Sequence, residues 1–533
     1  MSDARSELPT HVVNNQPPVQ GARDLWAGDP VLRAHAIGAD GAVLASCGAA
    51  LGSEEAQAAA HEAERTGPEL CLFDRGGRRL DEVTFPSGYH HMMRLGLGAG
   101  YAAGPWSGGS HVTHAAMVYL HSQVEPGTCC PMTMSYAAMP LIRSDPALDP
   151  VWAEKLGIAD YDPAIAPVGQ KRAITLGMAM TEKQGGSDLR SNTTTARPGD
   201  GGWRLTGHKW FCSAPMSDGF LTLAQAPGGL TCFLVPRWLE GDRNAIHLMR
   251  LKDKLGNRAN ASTEIEYHDA FALQVGEAGR GVATILDMVH HTRLDTALAP
   301  AGLMRAALAE AHHWVRHRTA FQRRLIDQPL MQAVLADLVL DWEGATALGL
   351  RVARAFDGDT EADRAFARIA VALAKFLNNK LCPGLVYEAM EVLGGTGYVA
   401  ESGMPMLYRE APLNSIWEGS GNVICLDILR TLARTPLAGE VLTAELQAAT
   451  GQSHAYDAAL RAHQDRWPGL PAEAEARWFA ESLARLLSAA VLLHGAPGAI
   501  AGAYAETRLG GARGQVAGSM GTRETGPILD RLG

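Results

Sequence analysis

Met178–Asp188 reads M-A-M-T-E-K-Q-G-G-S-D. The run leaves an apolar strand and enters a Gly185-Gly186 turn, with the hydroxyls of Thr181 and Ser187 on either side. Glycine lets main-chain N–H groups approach a flat ligand closely. Hydroxyls and amides at such a turn suit the polar edge of an aromatic heterocycle; the plainer reading is a polar hairpin, and the short motif alone does not choose. Outward from it, the chain from Lys171 is alternating, β-branched and turn-rich. Ala173–Met180, Ser191–Ala196, Trp203–Thr206, Phe220–Ala224, Thr231–Val235 and Ser262–Phe271 read as strands of an all-β module. Trp210-Phe211-Cys212-Ser213 adds an aromatic face and another hydroxyl. No G-x-G-x-x-G follows a strand and no βαβ unit appears, so a nucleotide cofactor is not held in the Rossmann manner.

Helical texture flanks this module. From Ala22 to about Ile165, apolar spacing in Glu54–Glu64 and His111–His121 predicts mostly helices, with turns near Gly104–Ser110 and Leu148–Pro150. After Gly281, Ile285–Trp314, Met331–Phe356 and Asp363–Leu393 read as long Leu/Ala-rich helices. Thr435-Pro436 marks a boundary, Ala/Leu helices follow, and Gly510–Gly521 reads as a loose tail. The class is α+β and multidomain: helices over 1–170, β-barrel or sandwich over 171–275, helical bundle over 276–434 and an extra helical domain over 435–533.

Composition narrows the function classes. The 533 residues suit three to four domains at about 150 residues each. Charged residues at 20% and hydrophobic ones at 47% exclude wholesale disorder. A net charge of −10 excludes a uniformly basic nucleic-acid protein, so DNA binding needs a local patch. The eight cysteines form no C-x-x-C pair, and Cys129 and Cys130 are adjacent, which predicts a reducing cytoplasm. Met1–Pro18 has no signal-peptide pattern, and Leu486–Ala505 is broken by Gly495-Ala-Pro-Gly498, so core helices are expected there and no membrane span. His90-His91, His290-His291 and His312-His313 lack ligand spacing, and no metal is expected.

Three further segments carry chemistry or mere capping. In Ser415-Ile-Trp-Glu-Gly-Ser-Gly-Asn422, Trp417 beside Glu418 would exclude water and raise the carboxyl toward a base usable near neutral pH. Equally, Ser420 or Asn422 would cap a helix over Val423–Leu432. Glu391–Tyr398 runs a helix into glycines: a C-cap, or a diphosphate resting on exposed amides. Arg316–Arg324 is a basic cluster, either a solvated face or a phosphate contact.

Together these segments resemble the acyl-CoA dehydrogenase superfamily from about Gly21 to Arg434, in the right order. Asn15-Gln-Pro-Pro18, Met180–Ala196, Gly207–Pro215, Leu251–Ser262 and Asn414–Asn422 look more narrowly like its AidB alkylation-response branch. Lys183-Gln184 in place of the usual proline after T-E, and the C-terminal extension, are branch marks. The resemblance implies an N-terminal helical domain, a middle β-barrel, a C-terminal four-helix domain, FAD between barrel and helices, and a homotetramer. Met178, Met180, Thr181, Gly186, Ser187, Phe211, Cys212 and Ser213 would line the flavin ring. Ile416, Trp417, Ser420 and Asn422 would meet the rest of the cofactor. Arg318 and Phe321 match an R-x-x-F motif; with Gln328, Gly394 and Gly395 they would touch a neighbouring subunit's FAD. Gln322, where the motif has glycine, and Pro329 depart from the pattern.

The same resemblance places the base. In the superfamily it lies in the late turn or, for the isovaleryl type, on an earlier helix just before an arginine. Here that helix reads His291-Thr292-Arg293, so Glu418 remains. The implied chemistry is acyl-CoA oxidation, with a DNA-protecting or repairing role on double-stranded DNA as the branch's other expectation. From Thr431 to Gly533 nine Arg face ten Asp plus Glu, so binding depends on placement. Arg430 and Arg434, one turn apart, are first candidates, and Arg508, Arg513, Arg523 and Arg531 enrich the tail. The rivals are an ordinary acyl-CoA dehydrogenase with an assembly-only extension, and a structural tetramer with vestigial FAD.

Overall fold

The computed structural model describes residues 4–533. The N-terminal arm is pinned by Asn15, whose side chain donates to the Thr319 carbonyl and accepts from the Thr319 N–H, both at 2.8 Å. Seven helices follow: α1 Pro30–His35, α2 Gly41–Leu51, α3 Glu54–Thr66, α4 Ser87–Gly98, α5 His111–Ser122, α6 Cys129–Ser144 and α7 Val151–Leu156. Asp29, Asp40, Ser53 and Ser110 cap four of them by accepting first-turn N–H groups. The expectation of helices in this part needs one correction. Glu69–Phe73 (β1) and Arg79–Thr84 (β2) form an antiparallel hairpin. Asp74 makes its turn by accepting from the N–H groups of Gly76 and Arg78, both at 2.8 Å.

The middle module comprises β3 Leu176–Ala179, β4 Thr195–Gly199, β5 Gly202–Ser213, β6 Gly219–Ala226, β7 Gly229–Pro236, the short ribbon β8 Trp238–Leu239 and β9 Asp242–Arg243, β10 Ile246–Leu251 and β11 Ser262–Val275. Pairing runs β11-β5-β4-β6-β7 and returns to β11, closing a barrel. Cys212, Phe220, Phe233, Val235, Ile265 and Tyr267 fill it. Both β3 and β4 pair along one edge of β6, Leu176–Ala179 opposite Gly219–Thr222 and Thr195 opposite Gln225. The chain between them leaves the sheet and returns to the same edge, and that excursion is the Gly185-Gly186 loop. Trp210–Ser213 is the end of the twelve-residue strand β5.

The third part is built on α8 Gly281–His317, α9 Pro329–Phe356 and α10 Glu361–Val392, followed by α11 Met404–Glu410 and α12 Gly421–Arg434. Between α8 and α9 a two-rung ribbon, β12 Thr319–Ala320 and β13 Arg323–Arg324, turns through Phe321 and Gln322, both at positive φ (51° and 64°). Helix α10 is long and apolar enough to cross a membrane, but 78% of its most apolar window is buried inside the protein. It packs on α8, α9, α12 and the extension, so its hydrophobicity serves a core on all sides.

The extension contains α13 Pro436–Ala448, α14 His454–Arg466, α15 Ala476–Gly495, α16 Gly498–Tyr504 and α17 Gly526–Leu529. Its glycine-rich end is not loose. Arg508 is buried against α9, 2.6 Å from Asp337 and 2.8 Å from Asp341. Arg513 and the Gly518 N–H reach the other Asp337 oxygen at 3.1 and 2.9 Å. Arg531 pairs with buried Glu343 at 2.7 Å, and Arg523 with Glu506 at 2.5 Å. The glycines shape the backbone of a strap whose side chains are anchored; composition alone reads them as slack.

Candidate active site

The Gly185-Gly186 loop is organised by a residue inside the motif. Glu182 and Lys209 form a fully buried pair at 2.8 Å. The Glu182 carboxylate also accepts from the N–H groups of Thr193 (2.7 Å) and Thr194 (3.2 Å), tying the two ends of the excursion together. Burial pushes this carboxyl up, but Lys209 and the donors at Thr193 and Thr194 outweigh it and hold it down at about 2. A Cβ at Gly186 would lie 2.5 Å from Thr181 Oγ1, so the close approach requires glycine there. Met178, Met180, Thr181 and Gly186 are half-buried and Ser187 is exposed. Phe211 is 48% exposed on the adjoining strand, whereas Cys212 points into the barrel core, leaving it only main-chain atoms for a ligand. Ser213 Oγ lies 3.1 Å from Ser262 Oγ.

The second half of the site is the turn after α11. Glu418 adopts positive φ (56°), a conformation that non-glycine residues hold only when their surroundings enforce it. Four cationic side chains do so. Lys375, buried on α10, donates to the carbonyls of Asn414, Trp417 and Gly419 at 2.7, 2.9 and 3.2 Å. Arg293 Nε donates to the Glu418 carbonyl at 3.2 Å and its Nη1 to Asp427 at 2.7 Å. Lys380 donates to Ser415 Oγ at 2.8 Å, and Arg477, from α15, to Asn422 Oδ1 at 2.9 Å. Trp417 Nε1 donates to Asn414 Oδ1 at 2.6 Å. Ser420 stands at the N-cap of α12, but its hydroxyl makes no capping bond.

The Glu418 carboxylate accepts from Thr292 Oγ1 at 2.6 Å. Burial raises its pKa, opposed by the Thr292 hydroxyl and by the Lys375 and Arg293 charges, and the net direction is up. Burial drops Lys375 to about 7, against the pull of Glu418. Cys130, at the start of α6, is buried in the core between the two halves, and that burial lifts its thiol to about 12. Helix α6 packs on both β3, which leads into the loop, and α8, whose Thr292 meets Glu418, so it joins the two halves of the site.

The remaining predicted residues lie elsewhere. Arg318 donates to the Asn15 carbonyl at 2.6 Å, Gln328 to the Ala320 carbonyl at 3.1 Å, and Phe321 is 92% exposed. Gly394, at φ 60°, and Gly395 are exposed just beyond the end of α10, an arrangement that satisfies the C-cap reading. Arg318 follows α8, which at 1.5 Å per residue puts it about 39 Å from Thr292. Arg430 and Arg434 are exposed on α12, Arg430 no closer than 3.8 Å to Asp427. Residue patterns missed Arg293, Lys375, Lys380 and Arg477. Their partners are main-chain carbonyls, the Ser415 hydroxyl, the Asp427 carboxylate and the Asn422 amide, all distant in sequence, which leave no local signal.

Residues 15–163 match the adaptive response protein AidB N-terminal domain, 177–270 the acyl-CoA dehydrogenase middle domain, and 279–433 the acyl-CoA dehydrogenase C-terminal domain. The AidB protein of Escherichia coli (strain K12) is 43% identical over 536 residues, covering 97% of this chain and 99% of its own. The chain belongs to the AidB branch of the acyl-CoA dehydrogenase family. Acyl-CoA dehydrogenase family member 11 of Caenorhabditis elegans is 30% identical over 72% of this chain and 65% of its own. Two solved structures share the fold: C. elegans ACDH-11 in complex with C11-CoA (TM-score 0.84, 24% identity, 96% of this chain and 93% of that one) and the Bd2924 apo-form (TM-score 0.81, 26% identity, 90% and 99%).

Membership makes this chain an FAD-dependent oxidoreductase of the acyl-CoA dehydrogenase type. The site suits a flavin. The Ser420 hydroxyl makes no capping bond, Ser187 is exposed and Thr181 half-buried at the loop, so these hydroxyls face outward as donors. Phe211 and Ile416 (65% exposed) offer apolar faces beside them. Unspent donors around exposed apolar faces match a planar ring with a polar edge.

Proposed function

We propose that this cytoplasmic AidB-branch flavoprotein oxidises an acyl thioester with Glu418 as base, and that its assembly binds double-stranded DNA in a protective role against alkylation. The Glu418–Thr292 contact carries the catalytic reading. In the family pattern the base stands at either of two positions, and here they meet, with a carboxylate at one and its hydrogen-bond donor at the other. FAD supplies the hydride acceptor for such an oxidation. Glu418 takes the α-proton, and its raised pKa matches proton abstraction near neutral pH. Thr292 and Arg293 hold the carboxylate and its main chain while the proton moves. The ACDH-11 complex with C11-CoA supports an acyl-CoA substrate class. Glu418→Gln preserves shape and hydrogen bonding but removes the base. Acyl-CoA-driven flavin bleaching should vanish in this variant while FAD stays bound; unchanged bleaching would assign the proton to another group.

The homotetramer that the family resemblance implies is part of the same proposal. Arg318, with Phe321 and Gln328 beside it, stands at the far end of α8 from Thr292 and would serve the flavin of a neighbouring copy, together with Gly394 and Gly395. For DNA, exposure favours Arg430 and Arg434, because the four tail arginines already pair with carboxylates. That pairing also supports the rival reading, a dehydrogenase whose extension serves assembly alone.

A further inference from the structure

Of the four cations bracing the Glu418 turn, three come from the helical bundle and one does not. Arg477 lies in the first turn of α15, inside the extension, and reaches back to Asn422 in the first turn of α12. Its guanidinium stands over the Phe376 ring of α10, 5.6 Å from the centroid. A Cβ at Gly421 would lie 3.5 Å from Arg477 Nη1 and 3.4 Å from Lys380 Nζ, so both cations rest on the backbone at this helix start.

The chemistry of the pair has a direction. Guanidinium only donates, so Asn422 must turn its carbonyl oxygen toward Arg477. The Asn422 NH2 group then remains the free donor, and the amide cannot flip without losing the bond. We propose that Arg477 is a positioning residue for the cofactor: it fixes the Asn422 amide so that its N–H groups point at an acceptor of FAD, making the extension a working part of the flavin site. This rests on the reading that Asn422 contacts FAD. It explains why α15 packs on both α10 and α12, and it runs counter to an assembly-only extension.

The experiment is FAD titration of the apo-protein by flavin fluorescence, with melting temperatures of apo and loaded forms, in five variants. Arg477→Gln should weaken FAD about tenfold, the worth of one hydrogen bond to a charged group, with little change in apo melting. Arg477→Lys keeps a cationic donor and should recover most of the affinity. Asn422→Asp retains, and strengthens, the bond to Arg477 but loses the NH2 donor, so the apo form should hold or gain stability while FAD binding weakens. Asn422→Ala combined with Arg477→Gln should be no worse than Asn422→Ala alone, because one acts through the other. If Asn422→Ala weakens FAD and Arg477→Gln stays within twofold of the parent, the proposal is overturned. If Asn422→Ala itself has no effect on FAD, the underlying contact fails first. Equal losses in apo and loaded melting, without a change in affinity, would reduce Arg477 to a structural role and overturn it likewise.

Discussion

At the residue scale, two side chains set the chemistry of the Glu418 turn. Thr292→Val removes the hydroxyl that donates to Glu418 and keeps its shape. That bond favours the ionised carboxylate, so its loss raises the pKa further. The acid limb of flavin reduction against pH should move alkaline by about 1 pH unit or less, the worth of one hydrogen bond, with FAD still bound; a limb that does not move would separate Thr292 from the base. Lys375 is a stability determinant. Lys375→Met leaves three carbonyls without their donor, and urea unfolding at neutral pH should show a loss of about 2–4 kcal/mol. The sign of the pH effect follows from its value of about 7 in the folded protein against about 10.4 unfolded. Between these values the unfolded chain binds the extra proton, so this group makes stability rise with pH from about 7 upward and is uniformly unfavourable below. The variant should lose that slope.

At the element scale, the C-terminal strap depends on Arg508. Its guanidinium is buried with Asp337 and Asp341 on α9, and burial is overcome by those carboxylates, which hold the guanidinium protonated. Arg508→Ala leaves buried Asp337 with only Arg513 and the Gly518 N–H and deprives half-buried Asp341 of its hydrogen-bonded partner, at a cost of about 3 kcal/mol. Limited proteolysis should then cut among the residues of the Gly510–Gly521 stretch, which the parent protects. A parent cleaved there as fast as the variant would contradict a docked strap. The hairpin β1–β2 makes a related point: its strands are short and half-exposed, and amid alanine-rich helices only the Asp74 turn betrays it.

At the scale of the whole molecule, DNA binding by an acidic chain is a matter of arrangement. The tail arginines neutralise carboxylates of this chain, so of the predicted contacts Arg430 and Arg434 on α12 are the charges available to phosphates. Retention on duplex DNA should fall with salt at a log–log slope of about −0.9 per phosphate neutralised. Replacing both arginines by Glu should weaken every duplex alike and flatten the slope, with flavin content and oligomeric state intact. A parent that shows no retention at low salt leaves the dehydrogenase function alone.

Local order was legible along the chain wherever its cause was local. The long helices announce themselves by apolar spacing, the barrel strands by alternation, and the loop by Gly185-Gly186 between two hydroxyls. Glu418 was legible as a base candidate because Trp417 and the glycines stand beside it, and the motif order carried the family. What holds these pieces was not. Glu182 meets Lys209, Glu418 meets Thr292, Lys375 meets three carbonyls, Arg477 meets Asn422 and Arg508 meets Asp337 only after the helices and barrel have packed. A basic or glycine-rich stretch looks the same in sequence whether its charges face solvent or a buried acid. Pairing is set by distance in space, and only tertiary packing brings together residues that stand 27 to 171 positions apart in these contacts.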